Sequence, residues 1–125
     1  MRIAIPISLL LLGACARNEP PQTAPSEAFH RDGVSFELKP QSADGCKARG
    51  QAYRGTVRWQ VPAAEKVDLE LRLRAPDGQV FLGTNKAEGS QETGDWVEPG
   101  LWFLLVDHRN GETVAAFQAG PSPCQ

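Results

Sequence analysis

Along the middle of the chain, apolar and polar residues alternate with a period of two. Val67, Leu69, Leu71 and Leu73 form one stripe, opposed by Asp68, Glu70, Arg72 and Arg74. A strand places four such apolar side chains on one face, whereas a helix of 3.6 residues per turn scatters them around its circumference. Tyr53, Val57, Trp59 and Val61 repeat the pattern against Arg54, Thr56, Arg58 and Gln60. Gly55 falls on the apolar face, where it relieves crowding or marks a bulge. Residues 34–38 alternate in the same way, and Pro40 ends that strand. Residues 101–106 are apolar at every position, which predicts a central strand covered on both faces. Residues 79–82 and 113–117 read as two further strands.

Turn chemistry separates these segments. Ala75-Pro76-Asp77-Gly78 and Glu98-Pro99-Gly100 pair a preset Pro φ with a permissive Gly, and His108-Arg109-Asn110-Gly111 reads as a hairpin with Asn-Gly supplying positive φ values. Residues 83–94 are polar and read as a long loop, with room for a brief strand at 91–93. Seven or so short strands and no helical window predict an all-β domain over residues 29–125, an antiparallel β-sandwich.

The N-terminus follows another logic. Arg2 precedes an apolar stretch at residues 3–12, interrupted only by Pro6 and Ser8. The stretch is too short to cross a hydrocarbon layer of about 30 Å, which takes roughly 20 residues, so it reads as a signal peptide. Leu12-Gly13-Ala14-Cys15 resembles the lipobox of bacterial lipoproteins. That resemblance implies a signal segment at 1–14, cleavage before Cys15, and acyl chains on Cys15 that anchor the protein in a membrane. Ala16 and Arg17 stand where Asp would favour inner-membrane retention, so the family rule points to the outer membrane, on its periplasmic side or at the cell surface. Residues 15–28 then carry the lipidated Cys and a Pro-rich tether with no large apolar side chain.

Three Cys are present, and assigning Cys15 to lipid leaves Cys46 and Cys124 as a pair. An oxidising periplasm allows a disulfide between them. No C-x-x-C occurs and both His are distant in sequence, so a thiol metal or redox site is not expected, and neither is a cofactor.

Residues 56–111 also resemble a bacterial immunoglobulin-like module of secreted and surface-polysaccharide-related proteins. The residues that carry this are Val57-Arg58-Trp59, Ala75-Pro76-Asp77-Gly78 with Phe81, Gly89-Ser90, Thr93-Gly94-Asp95-Trp96-Val97 and Gly100, then Phe103, Leu105, Asp107 and Gly111. The resemblance implies a small β-sandwich without attached catalytic activity, and it fixes no ligand.

Charge and chemistry narrow the function classes. The formal charge of −2 removes the cationic field of a nucleic-acid binder. A Ser-His-Asp site built on Asp107 and His108 would need adjacent turn residues to face each other, and His30 lies beside the tether. Glu88, Glu92, Asp95 and Glu98 lie in polar loops without the apolar cover that tunes a catalytic carboxylate, and they lack the spacing of a calcium loop. An enzyme is therefore not expected. The candidate binding residues are Trp96 and Trp102, with Trp59 assigned to the core, and the outward Arg54, Arg58, Arg72 and Arg74. If the two long strands pair directly through residues 62–66, Arg58 faces Glu70 and Arg54 faces Arg74, a like-charge pair that an anionic partner would relieve. If they belong to different sheets, that coincidence disappears. Two functions are consistent with these residues. One is a non-enzymatic, membrane-anchored binding or assembly module for an envelope protein or glycan. The other is an inhibitor or immunity lipoprotein that blocks a hydrolase, with residues 83–94 as its plug.

Overall fold

The computed structural model describes residues 25–64 and 66–125. Cys15, the signal segment 1–14 and most of the tether lie outside the described residues. Eight strands follow in chain order: β1 (Phe29–His30), β2 (Ser35–Pro40), β3 (Gly55–Gln60), β4 (Leu69–Leu73), β5 (Gln79–Thr84), β6 (Glu88–Glu92), β7 (Trp102–Asp107) and β8 (Glu112–Gln118). One 3-10 turn, Ala43–Gly45, sits in the β2–β3 connection, capped by the Ser42 side chain.

The strands form a five-stranded sheet in the order β1-β8-β7-β4-β5 and a three-stranded sheet in the order β2-β3-β6, with antiparallel pairing throughout. The chain changes sheet between β1 and β2, between β3 and β4, between β5 and β6, and between β6 and β7. This is a β-sandwich with immunoglobulin-like connections. Because β3 and β4 lie in different sheets, Arg58 pairs in register with Glu37 and Ser90, not with Glu70. The direct β3–β4 pairing, and with it the opposition of Arg54 and Arg74, does not occur.

The period of two places the inward residues as expected. Val57, Leu71, Phe103 and Leu105 are fully buried between the sheets, and Trp59 is 5% exposed with its indole N–H donating to the Lys86 carbonyl at 3.0 Å. An aromatic row crosses the interior: Phe36 meets Phe117 at 4.8 Å between ring centroids, Phe117 stacks on Phe103 at 5.1 Å, and Phe103 stacks on Trp96 at 6.4 Å. Phe81 closes the row edge-on against Trp96 at 5.4 Å. Strand β7 is central, as its unbroken apolar run implies. Its outward Leu104 and Val106 are buried with Ala116 beneath Trp102. Gly55 is needed on its apolar face, because a Cβ there would stand 2.7 Å from Leu38 Cδ1.

Three local expectations are corrected. Residues 88–92 form β6, paired with β3 along its length, where a loop was expected. Its side chains are nearly all exposed, so it carried no apolar alternation to signal a strand. At residues 108–111 only Gly111 takes a positive φ, +76°, and Asn110 does not. The four-residue loop is closed by Gly111 N–H donating to the Asp107 carbonyl at 2.8 Å, which removes the need for two positive φ values. Gly78 is required by space and not by φ: a Cβ there would collide with the Leu73 carbonyl.

Cys46 and Cys124 form a disulfide, with their Cα atoms 5.7 Å apart. It ties the β2–β3 connection to the C-terminal segment. Three hydrogen bonds join the same two segments: Gly50 N–H to the Cys124 carbonyl at 2.9 Å, Ser122 Oγ to the Gly50 carbonyl at 2.9 Å, and Tyr53 Oη to the Gly120 carbonyl at 2.8 Å.

Candidate functional site

The structure divides the four arginines between the two outer faces of the sandwich. Arg54 and Arg58 lie outside the three-stranded sheet, and Arg72 lies outside the five-stranded one, with Arg74 just beyond the end of β4. They do not form a single basic face. Arg54 holds Asp95 through two hydrogen bonds of 3.2 Å, and this contact raises the guanidinium pKa above its ordinary value. Arg72 donates to Glu70 Oε1 from Nη2 at 2.6 Å and from Nε at 3.0 Å, and to the Gly78 carbonyl from Nη1 at 2.8 Å. It is a structural clamp between β4 and the following turn.

Arg74 differs from these. It takes φ +77°, a positive value shared among the described residues only with glycines. The Ala75 N–H reaches back to the Leu73 carbonyl at 2.9 Å, closing a γ-turn of the rare, strained hand around Arg74. A left-handed backbone costs an L-residue about 1–2 kcal/mol, and glycine avoids that cost. The Arg74 side chain has no ion-pair partner among the described residues.

Arg74 borders a groove of about 710 Å³, whose lining also includes Gln79, Val80, Trp96, Glu98 and Trp102. Both candidate tryptophans therefore meet at one place. Trp96 is 37% exposed and Val80 43%, and these are two of the three large apolar residues that the described surface exposes. Trp96 closes the aromatic row with part of its ring and presents the remainder to solvent. Trp102 rests on Leu104, Val106 and Ala116 and is half-buried. One wall is the turn 98–101, with Pro99 in its second position, Gly100 at φ +88° and the Leu101 N–H donating to the Glu98 carbonyl at 3.0 Å. This is the type II pattern, and Gly100 N–H is further pinned to the Ala119 carbonyl at 2.8 Å. The opposite wall is edge strand β5, whose register with β4 shifts near Phe81. The shift directs Phe81 toward Trp96. Gln79 and Val80 were not singled out by the sequence, and Glu98 was weighed there only as a catalytic or calcium-binding carboxylate, because which strand would be an edge, and which turn would face it, are properties of the topology.

The remaining candidate groups stand in surface ion pairs or open to solvent. His108 Nδ1 lies 3.2 Å from Asp68 Oδ2 and its Nε2 lies 3.6 Å from Glu70, while Asp107 is taken by Arg109. The Arg109 hydrogen bond holds the Asp107 carboxyl below its ordinary pKa. Glu88, Glu92, Asp95 and Glu98 are all exposed. Among the described residues no group of three or more His, Cys, Asp or Glu is arranged to hold a metal ion.

Fold and groove together define a β-sandwich domain with a surface recess lined by Trp96 and Trp102. No protein-family model, curated protein or solved structure matches the chain.

Proposed function

We propose that the protein is a non-enzymatic binding or assembly module of the cell envelope, held at the outer membrane by acyl chains on Cys15 and directed at an envelope protein or glycan. The observation that carries this reading is the convergence of Trp96, Trp102, Val80 and the strained Arg74 on one groove. Aromatic side chains with an apolar body and an N–H donor are efficient recognition surfaces, and a groove of several hundred Å³ is in the range that ligands occupy. Backbone strain retained at an exposed Arg is expected where the side chain serves recognition, since nothing in the packing of the sandwich requires Arg there.

Binding of the purified full chain to an isolated envelope fraction tests the reading. Trp102→Ala should lose most of the retained signal, while Arg58→Ala, on the opposite face, should keep it. Circular dichroism of each variant checks the fold. Equal retention by a folded Trp102→Ala would remove the groove as the site.

A further inference from the structure

We infer that the groove takes a neutral saccharide, which stacks a sugar ring on Trp102 and the exposed part of Trp96 and hydrogen-bonds its hydroxyls to Arg74, Gln79 and Glu98. This rests on the reading of the groove as a binding site and deepens it to a ligand class. Three observations point there.

The first is charge. The lining has one cation, Arg74, and one anion, Glu98, beside the neutral amide of Gln79. A recess that offers donors and acceptors with no net charge matches a ligand that does the same, and a sugar hydroxyl both donates and accepts. The second is the shape of the apolar part. Two indoles with exposed ring surface suit the flat C–H face of a pyranose, and Val80 extends that apolar floor.

The third is the state of the edge strand. An extended peptide would bind this groove by adding to β5, which needs an unbroken row of backbone donors and acceptors. The irregularity near Phe81 interrupts that row in the middle of a six-residue strand. Bulges are a common means of keeping an edge from pairing with another chain. A saccharide needs no ladder, only ring surface and polar groups at fixed points. These points are fixed before binding, by the γ-turn at Arg74 and by the Pro99-Gly100 turn that carries Glu98.

The test is intrinsic tryptophan fluorescence and titration calorimetry on the full chain in detergent, with chitotetraose, maltotetraose and mannotetraose as neutral probes. Tetragalacturonate serves as an anionic probe, and a blocked Thr-Val repeat hexapeptide as a strand-forming one. At least one neutral tetrasaccharide should saturate the signal, with an affinity that changes less than twofold between low and high salt. Trp102→Ala and Arg74→Gly should each weaken it at least tenfold. Arg74→Gly separates recognition from architecture, because glycine relieves the positive φ: this variant should melt no lower than the parent while losing the ligand. Binding that survives both substitutions, a response confined to tetragalacturonate, or no response to any neutral probe overturns the inference. A response confined to the hexapeptide overturns it too, yet leaves the groove as a binding site. Loss of the groove reading itself shows separately, as envelope binding that is unchanged in Trp102→Ala.

Discussion

At the scale of single residues, the positions that matter most are those where the backbone or a ring leaves no choice. Gly89 in β6 is one: a Cβ there would stand 2.6 Å from Trp59 Cζ2, and that indole is buried and anchored by its N–H. Overpacking of this kind costs about 1–3 kcal/mol, so Gly89→Ala should lower unfolding free energy by that amount in urea titration. Gly89 thus explains why a strand with no apolar alternation sits where it does: its lack of a side chain admits the Trp59 ring. Tyr53 supplies a pH dependence. Its phenol is buried, donates to the Gly120 carbonyl at 2.8 Å, and has its pKa raised by desolvation. The unfolded chain ionises near the ordinary phenol value while the folded chain holds its proton longer. The stabilisation is therefore complete below about pH 10 and is lost as pH rises through the folded value. Tyr53→Phe should be less stable at pH 7 through the lost hydrogen bond, and should show a shallower fall in stability between pH 9 and 11 in denaturant titrations at stepped pH.

Elements show which parts of the fold were legible in the sequence, and why others were not. Strands β3, β4 and β7 announced themselves because each buries a face, and burial is what alternation records. The outward side of β7 was also legible, since only a covered strand keeps Leu104 and Val106 beside Phe103 and Leu105. Strand β6 was not legible, because it exposes its side chains and contributes mainly backbone hydrogen bonds to β3. The same limit governed the site. Trp96 and Trp102 could be picked by residue type, but the edge strand β5 that joins them into a groove is set by sheet order, which no local pattern encodes. The turn at 98–101 was visible as Pro-Gly chemistry without its role as a wall. That wall gives a prediction at this scale. Gly100 has open space around it and φ +88°, so Gly100→Ala introduces backbone strain without a clash. It should cost about 1–2 kcal/mol in thermal unfolding and weaken any ligand of the groove, because relief of the strain moves Glu98 and Leu101.

For the whole molecule, the constraint that stands out is the disulfide, which links residues 78 apart in sequence. A domain of this size buries a limited core, so a term that acts on the unfolded chain carries unusual weight. In the chain-entropy view, closing a loop of this length removes unfolded-state freedom worth about 4 kcal/mol. The bridge does not act alone in the folded state, since hydrogen bonds from Tyr53, Gly50 and Ser122 join the same two segments. Those bonds vanish on unfolding, whereas the covalent link persists, so the two effects separate experimentally. A Cys46→Ala, Cys124→Ala double variant should fold to the same sandwich at low temperature, retaining the near-ultraviolet signature of Trp59. Its melting temperature should fall by on the order of 20 °C, since each kcal/mol moves a domain of this size by several degrees. A fall of only a few degrees would mean that the hydrogen-bonded C-terminal segment already keeps the unfolded chain compact. The groove lies against β5 and the 98–101 turn, apart from the bridge, so the double variant should bind its ligand normally below its own transition.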